Sequence, residues 1–167
     1  GVKLSYFDQQ KNDPATGKPG WRYTPYVIEP SAGLTRALLL FMLDAYCEEA
    51  GTDAEGVAKT RVVMKFHPRL SPIKVAVLPL TKKDGLPEVA RTLVTDFFKA
   101  GINASYDEQQ SIGKRYARHD EIGTPYCITI DNESLQDKMV TIRDRDTTKQ
   151  ERVPMNEALE IVRKRVT

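Results

Sequence analysis

Cysteine is nearly absent from this 167-residue chain: Cys47 and Cys127 stand eighty positions apart, with no C-x-x-C and no group of close cysteines. A disulfide scaffold is therefore excluded, and two reduced thiols are expected. The two histidines, His67 and His119, complete four zinc donors on paper. None has the paired spacing of a zinc site, so no metal is assigned. Long apolar runs are missing too. The longest, Ala37–Leu43, has seven residues and ends at Asp44, against roughly 20 for a bilayer span; no membrane partner is expected. Charge of one sign is not in excess, since 25 Lys and Arg face 23 Asp and Glu. Any nucleic-acid contact must come from a local patch, not from the field of the whole molecule. The ten prolines and ten glycines show no period, which excludes collagen-like and low-complexity classes. The opening Gly1-Val2-Lys3-Leu4 has neither Met nor a signal-peptide pattern. It reads as mid-domain sequence and predicts a piece of a longer protein.

What is present is an ordinary globular balance, 40% hydrophobic and 29% charged, with length for one domain or one and a fragment. Alternation predicts a strand at Val2–Phe7, a polar loop over Asp8–Gly20 and a second strand at Trp21–Ile28. A helix apolar nearly all round follows from about Ser31 or Ala32 to Glu49, with Gly51 as its stop. Gly51–Ser71 is weakly patterned and holds one short strand, Arg61–Lys65. From Ile73 the character changes. Lys74–Leu80 is a buried-strand run. Leu86, Val89, Ala90, Leu93, Val94, Phe97 and Phe98 mark one helical face, with Asp84 as cap, Pro87 in the first turn and Gly101 as stop. Ile102–Tyr106 is a strand and Ser111–Ile122 a basic helix. Pro125–Ile130, Met139–Arg143 and an edge strand Gln150–Val153 precede a closing helix, Pro154–Val166. The order β-α-β-α-β-β-α predicts a compact α/β domain with a mixed sheet flanked by helices. The expected division is 1–47, 48–72 as connector, and 73–167.

Three segments have residue types that carry chemistry. In Tyr26–Arg36, a strand delivers Glu29 and Ser31 to a helix start, where free N–H groups and Arg36 favour an anion. Taken alone, the pattern favours the plainer reading, a Ser31 cap and a strand-end charge. In Ser111–Gly123, Lys114, Arg115 and Arg118 surround Tyr116, a combination suited to phosphates and a stacked base. A solvated helix explains the same pattern, and His119 is read as a polar surface residue. In Ile142–Thr147, alternation puts Arg143 and Arg145 on one face and Asp144 and Asp146 on the other. Base reading and a surface ion-pair ladder are both open there. No Ser-His-Asp order, carboxylate dyad or P-loop stands out.

Together these segments resemble one family. "YVIEPSAGLTR" (Tyr26–Arg36) looks like motif 3 of a class II aminoacyl-tRNA synthetase, in the form of the dimeric glycyl-tRNA synthetases. "PIKVAVLPL", "SIGKRYARHDEIGTPYCITID" and "VTIRDRDTTKQ" are similar to the same family's C-terminal anticodon-binding domain. The resemblance implies an α/β anticodon-binding domain preceded by the tail of a class II catalytic domain. It implies a glycine–tRNA ligase reaction in the parent: glycine and ATP, with magnesium, give glycyl-adenylate, and the glycyl group passes to tRNA. Glu29, Pro30, Ser31, Ala32 and Gly33 would line the glycine site, and Gly33, Leu34, Thr35 and Arg36 the ATP site. Lys114, Arg115, Arg118, Glu121, Arg143 and Arg145 would meet the anticodon, Glu121 by accepting from a cytosine amino group. No residue is assigned a catalytic role apart from substrate binding. The implied partners are glycine tRNA, glycine and ATP, in a cytoplasmic homodimeric parent. Motifs 1 and 2 have no counterpart here, so the chain by itself is expected to be inactive. The main alternative is a non-enzymatic nucleic-acid-binding module on the same fold. A histidyl-, prolyl- or threonyl-type synthetase is a third reading.

Overall fold

The computed structural model of the chain describes residues 4–52 and 58–167. It divides into two compact bodies, residues 1–34 and residues 35–167. In the first, β1 (Tyr6–Asn12) pairs antiparallel with β2 (Pro19–Tyr23), Tyr6 opposite Tyr23 and Asp8 opposite Trp21. Trp21 stacks on Tyr23 with ring centroids 4.3 Å apart, and Tyr6 meets Tyr23 edge-on. The strands are displaced from the expected ones. Part of Val2–Phe7 lies outside the described residues, and β1 continues through the polar Asp8–Asn12 that was expected to loop. The turn is confined to Asp13–Lys18, where the Asp13 N–H donates to the Lys18 carbonyl. Residues 24–33 have no regular structure, so the second strand ends at Tyr23 and not at Ile28.

Helix α1 (Leu34–Ala45), all but its first residue in the second body, ends four residues before the expected Glu49. The chain passes directly into β3 (Tyr46–Thr52), which pairs antiparallel with β4 (Ala58–Met64). Gly51, expected to stop a helix, lies in β3 opposite Lys59. Leu38, Leu39, Leu40, Phe41, Met42 and Leu43 of α1 are all exposed, and Ala45 is its one buried residue.

A five-stranded sheet follows in the order β6-β5-β7-β8-β9. Its strands are β5 (Val75–Pro79), β6 (Ala104–Tyr106), β7 (Tyr126–Ile130), β8 (Met139–Asp144) and β9 (Gln150–Pro154). β5 is parallel to β6 and β7, and the last two strands return antiparallel, giving the expected mixed sheet. The helices α2 (Leu86–Lys99), α3 (Ile112–Glu121) and α5 (Met155–Val166) match their periodic signals. The one-turn α4 (Ser134–Asp137) had no signal. Pro87 lies in the first turn of α2 as expected, but the cap is Gly85 and not Asp84. Gly101 follows the helix at φ 74°.

Alternation along the strands separates two faces. Val75, Val77, Ile128, Ile130, Val140 and Ile142 point into the main core with Leu86, Leu93, Phe97, Ala158 and Val162 from α2 and α5. Ala76, Leu78 and Cys127 point the other way, under Ile112 and Tyr116 of α3. The same period of two directs Arg143, next to Ile142, to the α3 face. β4 packs on α3 there, so the β3–β4 hairpin and α3 together cover this face. Among the described residues no helix is long and apolar enough to cross a membrane.

Candidate nucleic-acid interface

The α3 face is built around one buried carboxylate. Asp120, in the last turn of α3, is 2% exposed. Arg143 Nη1 donates to its Oδ1 at 2.9 Å and Arg143 Nη2 to its Oδ2 at 3.1 Å. Arg61 of β4 adds Nε to the same Oδ2 at 2.9 Å. One carboxylate thus satisfies parts of two guanidinium groups, the geometry in which buried charges are tolerated. The Arg143 guanidinium lies 4.7 Å from the centre of the Tyr116 ring. The Tyr116 hydroxyl hydrogen-bonds Thr129 Oγ1 at 2.6 Å. Burial pushes the Tyr116 phenol above its ordinary pKa, with Thr129 pulling the other way. Burial pushes the neighbouring Cys127 thiol to about 12, which leaves it a neutral apolar group.

Above this layer runs a groove of about 390 Å³, bounded by Gly51, Thr60, Arg61 and Val62 of the hairpin and by Gly113, Tyr116, Ala117, Asp120 and Glu121 of α3, with Arg143 at its base. Gly113, Ala117 and Asp120 recur on one helical face, and the two small residues leave the slot open. Thr60 and Glu121 are exposed at its rim. A planar group entering here meets a stacked cation–ring layer and both donors and acceptors.

The expected anticodon residues fall into distinct environments. Lys114 is exposed in the first turn of α3. Arg118 is half-exposed and holds the loop after β6, donating Nη2 to Asp107 Oδ2 at 2.5 Å, and bonding the Gln109 carbonyl and Gln110. Glu121 stands on the groove. Arg115, by contrast, is 2% exposed and donates to the carbonyls of Pro79, Leu80 and Asp107. Arg145 is also 2% exposed. Its Nη1 donates to the Gly123 carbonyl at 2.9 Å and its Nη2 to the Phe66 carbonyl at 2.8 Å. Arg143 borders the groove with both Nη groups on Asp120. His119 departs from its expected place. It is 4% exposed, not a surface residue. Its Nδ1 is 3.2 Å from Thr124 Oγ1, and burial holds its pKa below the ordinary histidine value. Sequence reasoning missed Arg61 and Asp120 as site residues. The four-residue spacing of Tyr116 and Asp120 on one helix face was the available signal; Arg61 left none.

The three loops leaving the carboxyl ends of β5, β6 and β7 each contain a non-glycine residue at positive φ: Asp84 at 61°, Gln110 at 67° and Lys138 at 58°. Such conformations cost energy and collect at functional edges. Lys114 and Arg118 lie toward this end of α3, and Asp120, Glu121 and Arg143 toward the other.

The segment Glu29, Pro30, Ser31, Ala32, Gly33, Leu34, Thr35 and Arg36 is exposed at every position. The strand expected to deliver Glu29 is absent, since residues 24–33 are irregular. These groups have the chemistry to meet an ammonium and a phosphate, but the segment does not enclose a nucleotide or exclude water from it. Among the described residues, no group of three or more His, Cys, Asp or Glu is placed to hold a metal ion.

A family model described as "Anticodon binding domain" matches residues 74–165, more than half of the chain. The chain is 50% identical over 160 residues to a glycine–tRNA ligase of Cutibacterium acnes, covering 96% of this chain and 32% of that protein. It is 48% identical over 166 residues to a glycine–tRNA ligase of Rhodopirellula baltica, covering 99% and 29%. The chain thus spans about a third of the length of the curated relatives it matches. Among solved structures it is similar to the RNA-binding domain of threonyl-tRNA synthetase from Cryptosporidium parvum Iowa II, with TM-score 0.55 and 25% identity over 60% of this chain and 25% of that one. With residues 74–165 matched by that model, the chain belongs to the anticodon-binding-domain family.

Proposed function

We propose that this chain is the tRNA-reading part of a glycine–tRNA ligase, and that the groove between the β3–β4 hairpin and α3 receives an anticodon base. The observation that carries the reading is the groove itself: the stacked Tyr116–Arg143 layer lies beneath the exposed Glu121 and Thr60. An aromatic–guanidinium layer suits a base plane, and Glu121 can accept from a cytosine amino group. Lys114 and Arg118 are suited to phosphates, which position RNA without reading it. Arg115 and Arg145 act from inside, by fixing loops, and Arg143 acts as the floor of the slot.

We propose further that the parent protein forms glycyl-adenylate from glycine and ATP with magnesium, transfers the glycyl group to tRNA, and works as a cytoplasmic homodimer. Residues 1–47 belong to its catalytic domain, 48–72 connect, and 73–167 bind the anticodon. The unbroken run of exposed apolar residues Leu38–Leu43 on α1 supports this, because an apolar surface of that kind is normally covered. Glu29–Gly33 and Gly33–Arg36 would then supply glycine- and ATP-binding groups within that larger body.

The exposed cation provides the test. Lys114→Ala is expected to weaken binding of a glycine-tRNA anticodon stem-loop and of a loop with altered anticodon bases by the same factor. It should also lower the slope of log K against log salt by roughly 0.7–0.9. Fluorescence titration across a salt series measures both. Unchanged affinity and slope would place the phosphate path elsewhere.

A further inference from the structure

We infer that Arg61 is a positioning residue for RNA discrimination: it holds the β3–β4 hairpin in place as the second wall of the groove. The inference rests on the groove reading above, and its own observations are the hydrogen bonds that the Arg61 side chain makes. All three nitrogens of the Arg61 guanidinium are engaged, on three separate segments. Nε donates to Asp120 on α3 at 2.9 Å, Nη1 to Glu49 on β3 at 2.5 Å, and Nη2 to the Arg145 carbonyl beyond β8 at 2.5 Å. The grip is reciprocal. Arg145 returns its own guanidinium to the Phe66 carbonyl, two residues past β4.

A planar fork has the shape for this task. Lysine, a single point charge, can reach one of these acceptors at a time. The arrangement also shares a carboxylate with the groove floor, because Asp120 Oδ2 receives both Arg61 Nε and Arg143 Nη2. Hairpin position and the seating of Arg143 over Tyr116 are thereby tied to the same atom. Removing the fork leaves the Asp120–Arg143 pair and the sheet intact but releases the wall carrying Gly51, Thr60 and Val62.

The test uses the whole chain with Arg61→Met, which keeps the length of the stem, and Arg61→Lys. Amide hydrogen exchange reads the wall directly. In Arg61→Met, amides of Cys47–Glu49 and Val62–Met64 are expected to exchange at least tenfold faster, while those of Val75–Leu78 and Tyr126–Ile130 keep wild-type rates. The matched stem-loop should lose at least fivefold of its advantage over the altered loop, with binding of the altered loop unchanged. Arg61→Lys should fall in between in both readouts and covers the case in which the Met variant does not fold. Wild-type exchange in the hairpin overturns the inference, as does equal loss of protection through hairpin and sheet, which would make Arg61 a general stabiliser. Retained discrimination with a loosened hairpin overturns it too. If the wild-type chain itself does not discriminate, the groove reading has failed, and the exchange pattern still decides whether Arg61 holds the wall.

Discussion

Asp120→Ala should destabilise the chain by about 3–5 kcal/mol, the usual cost of removing one partner from a buried ion pair. The reason is local. Arg143 is 6% exposed, and both of its Nη groups end on Asp120. With the carboxylate gone, a guanidinium is left buried over the Tyr116 ring with no counter-charge. Arg61 suffers less, because it retains Glu49 and the Arg145 carbonyl and is partly exposed. Replacing both members of the central pair by apolar groups, Asp120→Leu with Arg143→Met, should recover most of the loss, since the penalty lies in the orphaned charge more than in the lost pair. Urea unfolding of wild type, Asp120→Leu, Arg143→Met and the double variant forms the cycle, with Asp120→Ala measured beside it. Single-variant losses below about 1 kcal/mol would show that solvent reaches this network.

Gly123→Ala should be nearly as damaging. Gly123 lies within the α3–β7 connection at φ 79°, where an L-residue is strained by about 1–2 kcal/mol. Space is the second objection. A Cβ there would stand 2.5 Å from Phe66 Cδ2 and 2.8 Å from the Met64 carbonyl oxygen. The carbonyl belongs to the end of β4 and cannot swing aside like a side-chain tip. Overpacking of this kind adds about 1–3 kcal/mol. Gly123 also presents its carbonyl to Arg145, so a shift of the loop loosens the Arg145 grip on the hairpin. Gly101→Ala is the control, with φ 74° and open space around its Cβ; it should show the strain alone. Equal unfolding free energies for the two variants would remove the packing part of the argument.

The sequence was most legible where one period dominates. The apolar face of α2, except for the exposed Phe98, and the closing helix α5 place their residues in the main core, and the run Val75–Leu78 divides between the two cores as its alternation requires. Reading failed where tertiary pairing overrides local pattern. Nothing at Tyr46 breaks a helix, yet Tyr46–Thr52 becomes a strand because Ala58–Met64 pairs with it. The polar β1 is held by Trp21, Arg22 and Tyr23 opposite it, and no alternation within Asp8–Asn12 announces that. α4 is a single turn, too short to show a helical period.

At the site, sequence identified the cationic helix and the Arg-Asp-Arg-Asp strand end as informative segments. It could not say which arginines are turned inward. Arg115 meets carbonyls 36 and 35 residues back along the chain, and Arg145 meets one 79 residues away. Contacts at such separations leave no mark in local spacing. His119 is a different case: it lies in the last turn of the basic helix, and its partner Thr124 is only five residues on, past a chain reversal that the helical pattern does not announce.

The most direct test of the central claim is an equilibrium titration of the whole chain with two RNA hairpins of identical stem, one carrying the glycine anticodon and one with its anticodon bases replaced. At moderate salt the matched loop should bind at least tenfold more tightly. Glu121→Gln should bring the two affinities together while leaving the salt slope unchanged, because a groove residue would read the base and not the phosphate. Equal affinities of the wild-type chain for the two loops would contradict it.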